Sequence, residues 1–170
     1  ISASSPGLQM TGRPTIVRDD LPPLRRIHYD ARLRRLYLIE RQGRALFVSD
    51  LSLSSTREIS LPSPARSITT VLPLGRALLV LDAVGREIYV LDRESLKLKQ
   101  RWTLPPQGFE LCLCYLPSLK LILAGGAEQS TVLSLDGVVV DELDHAVISA
   151  YAHPLVGLVL STPAATVQVK

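Results

Sequence analysis

Short apolar runs recur along the chain, separated by charged or glycine-containing turns. Residues 77–82 and 87–92 are two such runs, with Gly85 and Arg86 in the turn between them. Runs of this length, bounded by turn residues and rich in β-branched and aromatic side chains, predict strands. No stretch has the 3.6-residue periodicity of a long helix. The pattern therefore predicts an all-β protein.

The apolar runs belong to a repeat. Residues 35–50 align without a gap with residues 77–92, an offset of 42 (92 − 50 = 42). Each copy reads as an apolar strand, a charged turn with a Gly-Arg pair, a second apolar strand and a closing aspartate. Glycine supplies the positive φ of a tight hairpin, so we expect it at Gly43 and Gly85. The alignment predicts two hairpins of the same topology.

Two further copies follow. The third fits at an offset of 44, which places Asp136 on Asp92, and the fourth begins at Ala146. The middle strands are apolar at nearly every position, which predicts sheets buried on both faces, as in the stacked blades of a β-propeller. The side chains expected between neighbouring sheets are Leu79, Leu81, Ile88, Val90, Leu121, Leu123 and Val132. The predicted blades of four-stranded antiparallel sheet are 24–62, 63–106, 107–145 and 146–170.

The chain from about Leu24 to its C-terminus resembles the WD-repeat family of β-propellers. The resemblance rests on the period, on Asp50, Asp92 and Asp136, and on residues 152–169, where a histidine-proline turn leads through a Leu-x-Ser strand into a Val-x-Val strand. It implies a propeller that holds other proteins. No Gly-His pair precedes a unit and no Trp-Asp closes one, so the family's His–Asp hydrogen-bond network has no counterpart. The blades are then expected to be held by packing alone.

The ends of the repeat suggest a larger ring. The fourth unit stops at Lys170 after its third strand, and four blades rarely close a ring of this type. Residues 1–23 are expected to form a tail of linker composition in which residues 15–18 supply the outer strand of a neighbouring blade. Closure of the fourth blade by that strand is the alternative. We favour about four blades of a larger propeller.

The residues that carry chemistry do not form a site. His28, His145 and His153 are not spaced as metal ligands, and no Gly-x-Ser-x-Gly elbow or phosphate-binding loop is present. We predict no catalytic residue, no cofactor, no metal and no small-molecule substrate. Cys112 and Cys114 lie two apart, too far to bridge in a strand, and predict two buried thiols rather than a redox or metal pair. Such thiols suit an intracellular, cytoplasmic or nuclear protein.

Charge adds one candidate contact. The net charge is +3, and no run approaches the roughly 18 apolar residues of a membrane span. The basic residues are scattered, which does not favour nucleic acid, except for one dense group that we expect near one rim of the ring. The group is a candidate contact for an acidic protein surface or a phosphate backbone, with a solvated turn as the alternative. Its members are Arg25, Arg26, Arg32, Arg34 and Arg35.

The leading functional hypothesis is a non-catalytic scaffold, a WD-repeat-like propeller subunit of a larger protein assembly. One alternative is a propeller enzyme, of hydrolase or quinone-dependent type, whose site lies in missing blades. The first strands of the blades are expected to line the central channel, and Asp30 is the only carboxylate in them. One carboxylate cannot hold a metal or act as an acid–base pair. The other alternative is a nucleic-acid-binding propeller that uses the group from Arg25 to Arg35.

Overall fold

The computed structural model describes residues 20–61, 67–106, 109–153, 157–164 and 166–169. Within these ranges every regular element is a β-strand. The first two sheets comprise β1 Leu24–Asp30, β2 Arg35–Glu40, β3 Leu46–Asp50, β4 Thr56–Glu58, β5 Ile68–Leu74, β6 Ala77–Asp82, β7 Glu87–Asp92 and β8 Leu98–Thr103. The other two comprise β9 Glu110–Leu116, β10 Leu121–Gly126, β11 Ser130–Ser134, β12 Val139–Leu143, β13 Ser149–His153, β14 Gly157–Ser161 and β15 Thr166–Val169.

Each sheet is an antiparallel meander in which every strand pairs with its neighbours in sequence. In the part of the chain that the structure describes, three sheets have four strands and the last has three, in the order β13-β14-β15. The first strands of successive sheets contact one another, β1 with β5, β5 with β9 and β9 with β13. Four-stranded meanders stacked in chain order are propeller blades, so the predicted fold class is confirmed. We number the sheets blades 1 to 4.

The two aligned hairpins have the same topology, as predicted, but their turns use glycine differently. Gly43 has φ +74°, and a Cβ there would overlap the backbone of Ile68 in blade 2. In the second turn Arg86, not Gly85, has the positive φ, of 58°. Gly85 donates its N–H to Asp82 Oδ1 at 2.9 Å, and a Cβ would overlap that carboxylate. The expectation of positive φ is therefore wrong at Gly85, which is needed for close approach instead.

The third hairpin corrects the alignment. Strand β11 ends at Ser134, which pairs with Leu121 as Asp92 pairs with Ala77. Ser134 Oγ accepts the N–H of Asp136 at 3.3 Å, whereas in blade 2 Asp92 Oδ1 accepts the N–H groups that follow it. Ser134 therefore occupies the place of Asp92, at the offset of 42 (134 − 92 = 42), and the assignment of Asp136 is wrong. The hairpin of blade 3, residues 121–134, is two residues shorter than that of blade 2, residues 77–92, and an alignment at one constant offset could not show the difference.

The core lies between the blades. Of the seven predicted interface side chains, six are buried, and Leu121, at the start of β10, is half-buried. Clusters of apolar side chains fill the interface of blades 1 and 2, that of blades 2 and 3, and that of blades 3 and 4. Cys112 and Cys114 are free, buried thiols of the last cluster, as predicted. Burial raises the pKa of Cys112 to about 11, so its thiol is protonated at neutral pH.

The turn after β5 and two further predicted features complete the local description. Pro73 lies within β5 opposite Leu78, and the turn that follows comes at Gly75, with φ +57°. The predicted strand at 15–18 and the predicted turn at Pro154 lie outside the described residues. In the described ranges no helix has the length and apolar character needed to cross a membrane.

Candidate functional site

The structure divides the five arginines into two groups. Arg25 and Arg26 lie near the start of β1, whereas Arg32, Arg34 and Arg35 follow its end. At about 3.3 Å per residue, the part of β1 from Arg26 to Asp30 spans roughly 13 Å, and Arg32 lies beyond that end of the strand. The expectation that all five gather near one rim is therefore wrong, because β1 begins at Leu24 and places the first two arginines at its opposite end.

The first group lies beside the first strands of later blades. Arg26 donates from Nη1 to the carbonyl of Leu111 at 3.4 Å, in blade 3. His28 Nε2 lies 3.3 Å from Thr70 Oγ1 in blade 2. Burial, together with the charge of Arg26, lowers the pKa of His28 to about 4, so the ring is neutral at pH 7. Among the described residues no three His, Cys, Asp or Glu side chains group as a metal site.

The second group lies on the turn between β1 and β2, which we call the arginine turn (residues 31–35). Asp30 Oδ1 accepts the N–H groups of Arg32 and Leu33, each at 3.1 Å. Arg34 has φ +51°, a left-handed conformation that costs free energy for a residue with a Cβ. The carboxylate of Asp30 therefore fixes the backbone from which these arginines project.

The same carboxylate joins blade 1 to blade 2. Arg93, just after β7, donates from Nε to Asp30 Oδ2 at 2.7 Å and from Nη2 to Oδ1 at 2.5 Å. Tyr37 donates its hydroxyl to Oδ2 at 3.3 Å. The Arg93 hydrogen bonds, first among several, lower the pKa of Asp30. The expectation of packing alone is wrong: a buried ion pair with a tyrosine connects these blades.

Asp30 is also not free to act in a channel. Its side chain is fully buried, and both oxygens accept hydrogen bonds from Arg93 and neighbouring groups. Sequence reasoning noticed Asp30 but missed Arg93. A weak signal was present, since an aspartate lies seven residues before a tyrosine at Asp30 and again at Asp82, where Tyr89 donates to it at 3.4 Å.

A cleft between blades 1 and 2 opens on one side of Leu33. Arg32 and Arg93 both donate to the carbonyl of Gly75, at 3.1 Å and 2.8 Å. Because Arg93 is neutralised by Asp30, and Asp92 and Glu94 add carboxylates, this interblade cleft has no excess of positive charge. It measures about 350 Å³ and is lined by Arg32, Leu33, Gly75, Arg76, Asp92, Arg93 and Glu94.

A second cleft, which we call the arginine cleft, opens on the other side of Leu33. Three arginines line it, and among the described residues that line it Asp50 is the one with a carboxylate. Arg35 donates from Nη1 to the carbonyls of Arg93 and Glu94, at 3.4 Å and 3.2 Å. The cleft measures about 290 Å³ and is lined by Leu33, Arg34, Arg35, Val48, Ser49, Asp50, Ser55 and Arg57.

The carboxylate of Asp50, in the arginine cleft, accepts hydrogen bonds from the turn that follows it. Ser54 donates its hydroxyl to Asp50 Oδ2 at 2.6 Å and its N–H to Oδ1 at 2.9 Å, and Ser52 also donates to Oδ1. These bonds, led by that of Ser54, lower the pKa of Asp50. Arg34 and Arg57 are exposed, and their side chains form no ion pair or hydrogen bond with any residue that the structure describes. Sequence reasoning missed Arg57, because it is separated from the arginine turn by two strands.

Known proteins resemble this chain in structure and not in sequence. No protein-family model matches it, and no curated protein matches by sequence. The Neurospora crassa Pan2 WD40 domain is similar with a TM-score of 0.65 at 15% identity, over 83% of this chain and 44% of that chain. Kuenenia stuttgartiensis hydrazine synthase is similar with a TM-score of 0.62 at 18% identity, over 86% of this chain and 44% of that chain.

These likenesses and the stacked meanders define the fold. The chain consists of β-propeller blades, and one of the structures it resembles is a WD40 domain. The chain spans less than half the length of either matched chain.

Proposed function

We propose that this chain is part of a non-catalytic, WD-repeat-like propeller that holds a protein partner at the arginine turn, within a larger assembly. The observation that carries the proposal is the arginine cleft, where Arg34, Arg35 and Arg57 meet only one carboxylate. Surface turns on a rigid scaffold are where binding residues concentrate. An excess of guanidinium groups there suits an acidic partner, which it would attract and orient.

The enzyme alternative has less support. A propeller active site would need several polar groups that converge on one substrate. Asp30, the carboxylate that the sequence predicts in the channel, accepts hydrogen bonds from Arg93 and Tyr37 instead. The name of one structural neighbour denotes an enzyme, but at 18% identity that likeness concerns the fold alone.

The nucleic-acid alternative also has less support. A polynucleotide needs a row of cationic contacts along its phosphates, and the five arginines are split between the two ends of β1. Beside the arginine turn, Asp92 and Glu94 line the neighbouring cleft and would repel a continuous polyanion.

The test is capture of partners from extracts of the source cells, followed by mass spectrometry, with Arg34→Ser/Arg57→Ser as the variant. The matched control is Arg41→Ser/Arg44→Ser, which removes two exposed arginines from the turn at the other end of β2. We expect a set of proteins that the parent and the control recover and the variant loses, with recovery falling as salt is raised. Equal recovery by the variant would remove the arginine cleft as the contact.

A further inference from the structure

We propose that the arginine cleft recognises a phosphomonoester carried by a side chain of the partner protein. This inference rests on the proposed function and names the chemistry of the contact. A phosphomonoester carries about −1.5 to −2 charges at neutral pH and three acceptor oxygens. The cleft is lined by three arginines, of which Arg34 and Arg57 are exposed and Arg35 also bonds to blade 2, and by the exposed residue Ser55. One guanidinium group can donate two parallel hydrogen bonds to two phosphate oxygens, because its N–H donors lie in one plane. An ammonium group lacks this geometry.

The backbone positions of the three arginines are fixed before a ligand arrives. Arg35 is fixed by two carbonyls of blade 2, and Arg34 projects from the turn that Asp30 fixes. Arg57 lies on β4, paired across from Val48. A site on a fixed backbone loses less conformational entropy on binding than one on a mobile loop does.

The residual carboxylate does not cancel the charge. Asp50 directs both oxygens at donors of its own turn, Ser52 and Ser54. Three guanidinium charges against one carboxylate leave an excess of about two positive charges, which matches a phosphate dianion. The interblade cleft, on the other side of Leu33, has no such excess because Asp92 and Glu94 line it.

The surroundings favour a phosphorylated side chain over a nucleic acid or a membrane surface. The excess charge is confined to one cleft of about 290 Å³, whereas a polynucleotide needs a row of cationic contacts along its phosphates. The carboxylates of Asp92 and Glu94 lie beyond Leu33 and would repel the next phosphate of a polyanion or a sheet of anionic lipids. Leu51, next to Asp50, is 45% exposed and offers an apolar contact to a neighbouring peptide side chain.

The direct test measures binding by fluorescence anisotropy with the whole 170-residue chain. The probes are short labelled peptides with a central phosphoserine, phosphothreonine or phosphotyrosine and randomised flanks, together with their unphosphorylated counterparts. We expect at least one phosphorylated pool to bind roughly tenfold or more tightly than its counterpart, because two or more charge-assisted hydrogen bonds depend on the phosphate. Its binding should tighten between about pH 5 and pH 7, as the phosphate loses its second proton.

Variants locate the binding. Arg34→Ser/Arg57→Ser should weaken phosphopeptide binding by roughly tenfold or more, whereas Arg41→Ser/Arg44→Ser should not change it. Arg34→Lys/Arg57→Lys keeps the charge but removes the planar, two-point geometry of the guanidinium groups. Its affinity for the phosphopeptide should therefore lie between those of the serine variant and the control. Melting temperatures of the parent, the two arginine-to-serine variants and the lysine variant show whether each protein is folded. If Arg34→Ser/Arg57→Ser is unfolded, the lysine variant tests the cleft in its place.

Three outcomes would overturn the inference: equal binding of phosphorylated and unphosphorylated pools, binding only to a single-stranded oligonucleotide, or binding only to vesicles containing phosphoinositides. The proposed function is tested separately by treating the cell extract with phosphatase before capture. Loss of the partner after treatment supports the phosphate. Capture that survives phosphatase but fails with Arg34→Ser/Arg57→Ser leaves the protein contact standing and refutes the phosphate. Capture that the variant does not change refutes the contact itself.

Discussion

Arg93 of blade 2 forms a two-point ion pair with Asp30 of blade 1, at 2.7 Å and 2.5 Å. The remaining Nη1 donor of Arg93 bonds to the carbonyl of Gly75, at 2.8 Å, and Asp30 also accepts the N–H groups that shape the arginine turn. The pair therefore links three features: the interface of blades 1 and 2, the turn before β6, and the position of the arginines on the surface.

Breaking this pair should destabilise the chain. Arg93→Ala leaves the Asp30 carboxylate buried without its main partner, which typically costs about 3–5 kcal/mol of unfolding free energy. Urea denaturation followed by circular dichroism measures the change. Arg76→Ala is the matched control, because Arg76 is exposed on the same side of the cleft. A cost of less than about 1 kcal/mol for Arg93→Ala, equal to that of the control, would mean that packing alone joins the blades.

His28 should make stability depend on pH in a defined window. Its pKa is lowered from 6.5 to about 4 in the folded chain, first by burial and then by Arg26. Between these values the unfolded chain binds a proton that the folded chain does not, so stability should fall as pH decreases from about 6.5 to about 4. His28→Gln should flatten the slope of unfolding free energy against pH in that window.

Three aspartates also contribute to the pH dependence of stability. Asp30, Asp50 and Asp92 have lowered pKa values, so their contributions are lost only as pH falls below the ordinary aspartate value of 3.8. Their effect therefore lies below the His28 window and persists in the variant. An unchanged slope above pH 4 in His28→Gln would show that the imidazole is not buried as the structure places it.

Two glycines with positive φ should respond differently to a methyl group. Gly43 and Gly75 both have left-handed backbones, so Gly→Ala costs about 1–2 kcal/mol from conformation alone. At Gly75 a Cβ meets no atom within 4 Å, whereas at Gly43 it would overlap the backbone of Ile68 in blade 2. Gly43→Ala should therefore lower the melting temperature much more than Gly75→Ala. Equal shifts in the two variants would contradict the close approach of blade 2.

The repeat could be predicted from the sequence because its cause is local. Both faces of β6 and β7 are buried, so nearly every position is apolar, and a hairpin turn fixes the spacing between them. The alignment failed at Asp136 because the third hairpin is shorter and Ser134 takes over the role of Asp92. A hydroxyl group and a carboxylate both accept backbone N–H groups, and residue identity alone does not show that equivalence.

The site was less predictable because it depends on contacts between distant positions. Asp30 and Arg93 are 63 residues apart, and no repeated pattern links them. Arg57 reaches the arginine cleft only through the pairing of β3 with β4. Conversely, Arg25 and Arg26 are near the arginine turn in sequence, but the length of β1 separates them from it. Closeness in sequence misleads wherever a strand intervenes.

The arginines around the turn should differ in how much they stabilise the fold. Arg32 and Arg35 donate to carbonyls of blade 2, at Gly75 and at Arg93 and Glu94, so Arg32→Ser/Arg35→Ser removes bonds between blades. We expect it to cost about 1–2 kcal/mol, since exposed hydrogen bonds contribute modestly. Arg34→Ser/Arg57→Ser removes two exposed side chains with no partner among the described residues and should change the melting temperature little.

Differential scanning calorimetry and partner capture on the same two double variants give the comparison. Both pairs lose the same charge, so an effect of charge alone would change both melting temperatures equally. The structure instead predicts that Arg32→Ser/Arg35→Ser lowers the melting temperature, because its bonds cross from blade 1 to blade 2. Arg34→Ser/Arg57→Ser should lose the partner at an unchanged melting temperature. If the second pair proved to be the destabilising one, Arg34 and Arg57 would be holding the blade together and would not be available to a ligand.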